Sequence, residues 1–211
     1  MKANLLSTYR YELFFLALLL QILYPFLSLL LIVHIDFVRF LSFTILVLAS
    51  FNLALRRIPR FLIIGFGVMS TLGVWGEYFL GDPYLIHLVR NYATCFFYMI
   101  LIYVLTRSFL LSKAINLKVV VGAMSGYLLI GYLGASTIEM MELHHPGSFI
   151  IDIKKPFNYT YLSFITMLTV GYGDAIPSSS AAKSLTVLIA LLGQLYMAVG
   201  IASFVGKFMA K

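Results

Sequence analysis

Apolar side chains in this chain come in long blocks separated by short polar breaks. Residues 13–33 form the first block, with Pro25 near its middle. His34, Asp36 and Arg39 break the pattern before a second block at 40–55. Arg56, Arg57 and Arg60, with Pro59, separate that block from a third at 61–80, which carries Trp75 and Tyr78 near its end. The turn Gly81-Asp82-Pro83 leads into a fourth block inside 84–111, and a connector at 112–118 leads to a fifth at 119–138. A polar stretch with Pro and Gly at 139–159 precedes a short helical pattern at 160–168. The strip Thr169–Asp174 and the serines Ser178 to Ser180 come before the last block, 181–209. About 20 apolar residues cross a bilayer core, so the blocks predict six transmembrane helices, and 160–168 is too short to be another. Block 40–55 is short for a crossing unless Arg56 snorkels to the surface. Pro25 is expected to kink the first helix, since neighbouring helices can satisfy the carbonyl it frees. Trp75 and Tyr78 are expected to anchor the third helix at the membrane interface.

Composition agrees with this reading. The 211 residues are 62% hydrophobic and 11% charged, whereas soluble domains sit near about half and about a quarter. The first block is too long for a secretory signal and lacks a small-residue cleavage pattern, so it is expected to remain as a span. The single cysteine, Cys95, lies in an apolar run, which excludes a disulfide framework or a cysteine zinc site within one chain. A net charge of +7 raises the question of nucleic acid, and its distribution answers it. With the N-terminus inside, ten of the 15 basic residues fall on inner segments: Lys2, Arg10, Arg56, Arg57, Arg60, Arg107, Lys113, Lys118, Lys207 and Lys211. Only Glu12 among the acids joins them, while Asp36, Glu77, Asp82, Glu139, Glu142, Asp152 and Asp174 fall outside with Arg39, Arg90, Lys154, Lys155 and Lys183. That is the asymmetry of the positive-inside rule. It places both termini in the cytoplasm, implies anionic lipids rather than nucleic acid as partners, and puts 160–174 in an outward-facing re-entrant loop.

The strip reads TVGYGD from Thr169 to Asp174. Gly171 and Gly173 tolerate positive φ, so the backbone can alternate and aim successive carbonyls at one axis. Open carbonyls are forbidden against lipid and allowed where they line a water-filled path. One loop cannot enclose an axis, so a ring of subunits is required. The strip resembles the selectivity filter of potassium channels, in which four such loops replace the hydration shell of the ion. The resemblance extends over about 118–209 and is to the pore of small bacterial six-span channels with voltage-gated-like architecture. It implies an all-α membrane protein of six transmembrane helices with a re-entrant pore helix and filter loop, assembling as a homotetramer.

By that resemblance, the carbonyls of Thr169, Val170, Gly171 and Tyr172, with the Thr169 hydroxyl, bind dehydrated potassium, and Gly173 completes the strip. Tyr172 would pack outward against the pore helix. Thr166 would flank the C-terminal end of that helix, whose negative partial charge points at the ion path. Asp174 would form a carboxylate ring at the outer mouth and accept a hydrogen bond from Tyr161. Two departures stand out: many relatives have Thr where this chain has Leu168, and some carry a pore-helix Glu where it has Ile165. Gly193, with Gly200 and Gly206 behind it, is either a gating hinge or a site of close helix approach. Gln194 is placed to face the cavity or to bond a neighbouring helix. The stretch 119–138 fits an outer helix whose small residues lie against the inner one. HHPGSF, His144 to Phe149, resembles the family's extracellular turret, and the adjacent His144 and His145 suit a solvated loop better than a metal site.

Residues 1–111 read as a peripheral four-helix domain and 112–211 as the pore domain. The order of spans resembles a voltage-gated channel, but the fourth holds only Arg90 and Arg107 near its ends, so strong voltage sensing is not expected. Arg56, Arg57 and Arg60 suit a membrane anchor or a lipid-headgroup contact. Residues 112–118 are either a coupling helix or an ordinary linker. No GxGxxG fingerprint, P-loop or catalytic triad stands out, so the chain is not expected to be an enzyme or to carry a cofactor beyond potassium ions in the filter. The function that follows is passive potassium conduction across a cell membrane, with a bacterial inner membrane as the expected location. Ligand gating would act on the membrane domain, on short loops or through a regulatory partner. The alternatives are a non-conducting regulatory subunit, a weakly selective cation channel, or an uptake-type transporter, whose pore repeats normally number four in one long chain.

Overall fold

In a computed structural model, the residues described are 9–51, 53, 57–80, 84–112, 116–150 and 157–209. They form seven helices: α1 (Arg10–Leu31), α2 (Ile35–Ser50), α3 (Arg57–Leu80), α4 (Tyr84–Leu110), α5 (Leu117–His144), α6 (Phe157–Met167) and α7 (Ser180–Met209). Two short strands, β1 (Phe149–Ile150) and β2 (Ile176–Pro177), pair antiparallel. The chain divides into two compact units, Met1–Gly126 and Tyr127–Lys211. Five of the helices are long and apolar enough to cross a membrane among the described residues: α1, most of α3, α4, α5 and most of α7.

The first unit is built on helices α1 to α4, and interhelical contacts fix their directions. Gln21 on α1 donates to Ser42 on α2 at 3.1 Å, and Trp75 on α3 donates to Thr44 on α2 at 3.1 Å. Phe40, earlier on α2, meets Tyr78, later on α3. Ser70 bonds Thr94, and Gly73 lies against Arg90, so α3 and α4 form an antiparallel hairpin. Phe14, Leu18, Phe40, Leu46, Phe97 and Leu101 fill the interior. Apolar residues such as Leu16, Phe26, Leu29 and Leu30 face outward, as lipid requires. Since lipid is as apolar as leucine, packing and interhelical hydrogen bonds hold such a bundle together.

Several expected boundaries move. Helix α1 continues through Pro25. The second helix is Ile35–Ser50, 16 residues, rather than 40–55. Asp36 and Arg39, expected in a connection, belong to it: Asp36 lies in its first turn, where an acid complements the helix dipole, and pairs with Arg39 at 3.7 Å. Glu77 and Arg90, expected on the outer side near the ends of their spans, lie on α3 and α4. They face each other inside the α3–α4 hairpin, with side chains only 10% and 12% exposed. Lys2, Arg56, Gly81-Asp82-Pro83, Lys113, Asp152, Lys154, Lys155 and Lys211, and the side chain of Arg57, lie outside what the structure describes. So does the centre of the 112–118 connector, although Asn116 caps α5 by accepting from the Val119 amide at 3.0 Å.

In the second unit, α5 runs two turns beyond the expected 138 and ends at His144. Ser179 caps α7 through the Ala182 amide at 3.1 Å. The small residues of α5 pack on the short helix α6 as well as on α7. Ser163 of α6 donates to the Gly131 carbonyl at 2.6 Å. A Cβ on Gly131 would come within 2.6 Å of the Phe164 ring, and one on Gly134 would meet Ser163 and lie 3.2 Å from Ile189 of α7.

Candidate pore loop

The polypeptide leaves α6 by folding its next amides back onto the helix end. The amide of Leu168 donates to Phe164 at 2.8 Å, that of Thr169 to Thr166 at 3.0 Å, and those of Val170 and Gly171 to Ile165 at 2.9 and 3.2 Å. Four amides are thus satisfied by the terminal carbonyls of α6. The carbonyls of Thr169, Val170, Gly171 and Tyr172 accept no hydrogen bond from the described residues. A row of unanswered carbonyls is tolerated only where water or an ion reaches it.

The backbone alternates along this strip. Thr169, Gly171 and Gly173 have φ of 59°, 54° and 83°, while Val170 and Tyr172 between them do not enter that region. The glycines adopt this conformation readily. Thr169 does not: a β-branched residue at positive φ is a true outlier, costing on the order of 1–3 kcal/mol. The glycine pattern is visible in the sequence, but nothing in it announces the strained threonine.

At the end of the strip, the Tyr161 hydroxyl of α6 donates to the Asp174 carboxylate at 2.8 Å. That bond, followed by desolvation and the charge on Asp174, pushes the Tyr161 phenol up to about 12. The phenol therefore stays protonated and donating at any physiological pH. Ile165 is buried at the departure from the family pattern, and Leu168 is exposed. Tyr172, expected to pack against the pore helix, is 73% exposed, so α6 leaves most of its ring uncovered.

A clasp that the sequence did not reveal holds the loop's exit. Glu142, on the unexpected last turns of α5, accepts from the amides of Gly147 at 2.6 Å and Phe149 at 3.1 Å. Gly147 takes φ 84° to make this turn. Ser178, just past β2, donates its amide to Ser148 at 2.9 Å and its hydroxyl to Gly147 at 2.5 Å. Strand pairing of Phe149 with Pro177 and Ile150 with Ile176 completes the tie. The signal available was an acid four residues before a Pro-Gly pair. His144 bonds the Met140 carbonyl through Nδ1 and His145 is exposed, and no metal-binding cluster appears among the described residues.

Below the loop, Met167 is fully buried against Gly193 of α7, where any side chain would collide with it. Gln194 reaches the Met167 carbonyl with a long contact of 3.5 Å. Gly200 has open space around its Cα, and α7 is continuous through both glycines. Thr166 is half-buried and gives its carbonyl to Thr169.

Residues 119–210 match an ion channel family model. That ion channel segment contains α6, the strip, the clasp and both flanking helices but for the first residues of α5. No curated protein and no solved structure matches the chain. The match, together with the apolar helices, supports an ion channel in a multi-pass membrane protein.

Proposed function

We propose that this chain is the subunit of a potassium-selective channel that conducts passively through a pore made by four copies. The observation that carries the reading is the alternating strip 169–173. Its carbonyls are unpaired among the described residues, its first amides are used up by α6, and its sequence is TVGYGD. Four strips facing one axis would offer Thr169, Val170, Gly171 and Tyr172 carbonyls, with the Thr169 hydroxyl, in place of the water around a potassium ion. Asp174, oriented by Tyr161, would concentrate cations at the mouth. The exposed Tyr172 ring would pack against a neighbouring copy, since its own pore helix does not cover it. Gly193 or Gly200 would serve as the hinge of α7.

Six crossings with both termini in the cytoplasm complete the proposal. Helix α2 spans only about 24 Å by length, short of the roughly 30 Å core. Even so, the Tyr11 hydroxyl near the start of α1 lies 3.0 Å from Ser108 near the end of α4. Two such ends on one side of the bundle support a return crossing by α2 between them. Arg90 is tied to Glu77 at 2.5 Å and Arg107 to Tyr103 at 2.9 Å, which supports a four-helix unit without a mobile charge ladder.

The test is ion flux from liposomes loaded with potassium, repeated with sodium and with barium as blocker. Potassium-selective, barium-sensitive flux is expected. Equal potassium and sodium flux from folded protein would overturn the reading.

A further inference from the structure

The first unit holds a small cavity that conduction does not use. It has a volume of about 200 Å³ and lies between the start of α1, the end of α4 and the start of α5. Arg10, Tyr11, Ser108, Asn116 and Lys118 bring polar groups to it, over an apolar floor that includes Leu105 and Phe109. Arg10 makes only a 3.4 Å contact to the neighbouring Tyr11 hydroxyl and lies over that ring at 4.8 Å. Neither Arg10 nor Lys118 has an ion pair among the described residues, and the acid of that turn, Glu12, bonds neither. Two unneutralised cations, two hydroxyls and an amide side chain therefore line one recess. The positive ends of α1 and α5 border the recess together with the negative end of α4, so the charge there comes mainly from the two side-chain cations.

We propose that this recess binds a phosphoryl group. A guanidinium and an ammonium supply charge, and of the paired Tyr11 and Ser108 hydroxyls the one that accepts can turn its proton toward the anion. The volume suits a phosphate with a few waters and is below the roughly 300 Å³ of sites for drug-sized ligands. Two sources share this chemistry: free phosphate and the phosphomonoester headgroup of a lipid. The lipid is favoured because three membrane-length helices begin or end here, which is the depth at which headgroups lie. A bound phosphoryl group would tie the first turn of α5 to α1 and α4. The inference goes beyond the conduction reading and does not depend on it, because its readout is binding.

Purified full-length protein in detergent is titrated with short-chain phosphatidic acid, short-chain phosphatidylcholine and inorganic phosphate. Apparent affinity is read from the saturable rise in unfolding temperature. Phosphatidic acid should bind and phosphatidylcholine should not compete with it. Arg10→Gln/Lys118→Gln should weaken binding about tenfold or more, the loss expected of a charge-assisted bond. Lys183→Gln, which removes an exposed charge elsewhere, should leave it unchanged. If the double variant folds poorly, Lys118→Gln alone, at an exposed position, still tests the site. Competition by inorganic phosphate at similar concentration would identify free phosphate as the ligand, and its failure would identify the lipid; both support the site. Unchanged affinity in the Lys118 variants, an equal loss in Lys183→Gln, or no saturable shift with either phosphate-bearing probe would overturn it.

Discussion

The two units of this chain treat their polar groups in opposite ways. In the four-helix unit, interior polar groups answer one another across helices: Gln21 with Ser42, Thr44 with Trp75, Ser70 with Thr94, and Glu77 with Arg90. In the pore unit, Glu142 and Tyr161 organise the loop's edges, while the strip's carbonyls stay unanswered and Val170 and Tyr172 are 47% and 73% exposed. The first pattern belongs to a bundle complete within one chain. The second suits the proposed pore, in which other copies and an ion would answer those groups. Damage to the first unit should therefore appear as lost stability, and damage to the strip as lost selectivity with the fold intact.

The largest stability effect is expected at the buried ion pair. Arg90→Ala removes the guanidinium that faces the buried Glu77 carboxylate and should cost about 3–5 kcal/mol of unfolding free energy. Pairing it with Glu77→Gln should recover part of that loss, measured by thermal unfolding in detergent. Next is Gly131→Ala, whose new methyl meets the Phe164 ring. Overpacking of this kind costs about 1–3 kcal/mol and should spare the four-helix unit. Glu142→Gln should then speed hydrogen exchange at the Gly147 and Phe149 amides roughly tenfold, the equivalent of about 1.4 kcal/mol for a weakened charged acceptor. The smallest effect on the fold is Tyr161→Phe, which should change flux and leave the unfolding temperature alone. In the unchanged protein, ultraviolet titration should show this phenol ionising near 12. Its bond to Asp174 is present below that pH and lost as pH rises through it.

Much of this contrast was legible in the residues. Apolar blocks locate membrane helices because lipid imposes one requirement on every exposed position, and alternating glycines locate the strip because only they take positive φ freely. What escaped was decided by tertiary partners. Asp36 and Arg39 look like a loop until they are seen pairing within a helix, and Glu77 looks like an outer acid until Arg90 faces it. The extra turns of α5 read as polar, yet Glu142 is buried there by the amides it caps. Thr169 adopts its strained backbone because the α6 carbonyls hold the amides on both sides of it, a constraint that no local pattern encodes.

The most direct test of the central claim is a structure of the purified assembly in potassium. The account predicts four copies around one axis, with ion density between rings of Thr169, Val170, Gly171 and Tyr172 carbonyls and each Tyr172 ring against a neighbour. A folded monomer or dimer, or an assembly whose strips face away from the axis, would contradict it.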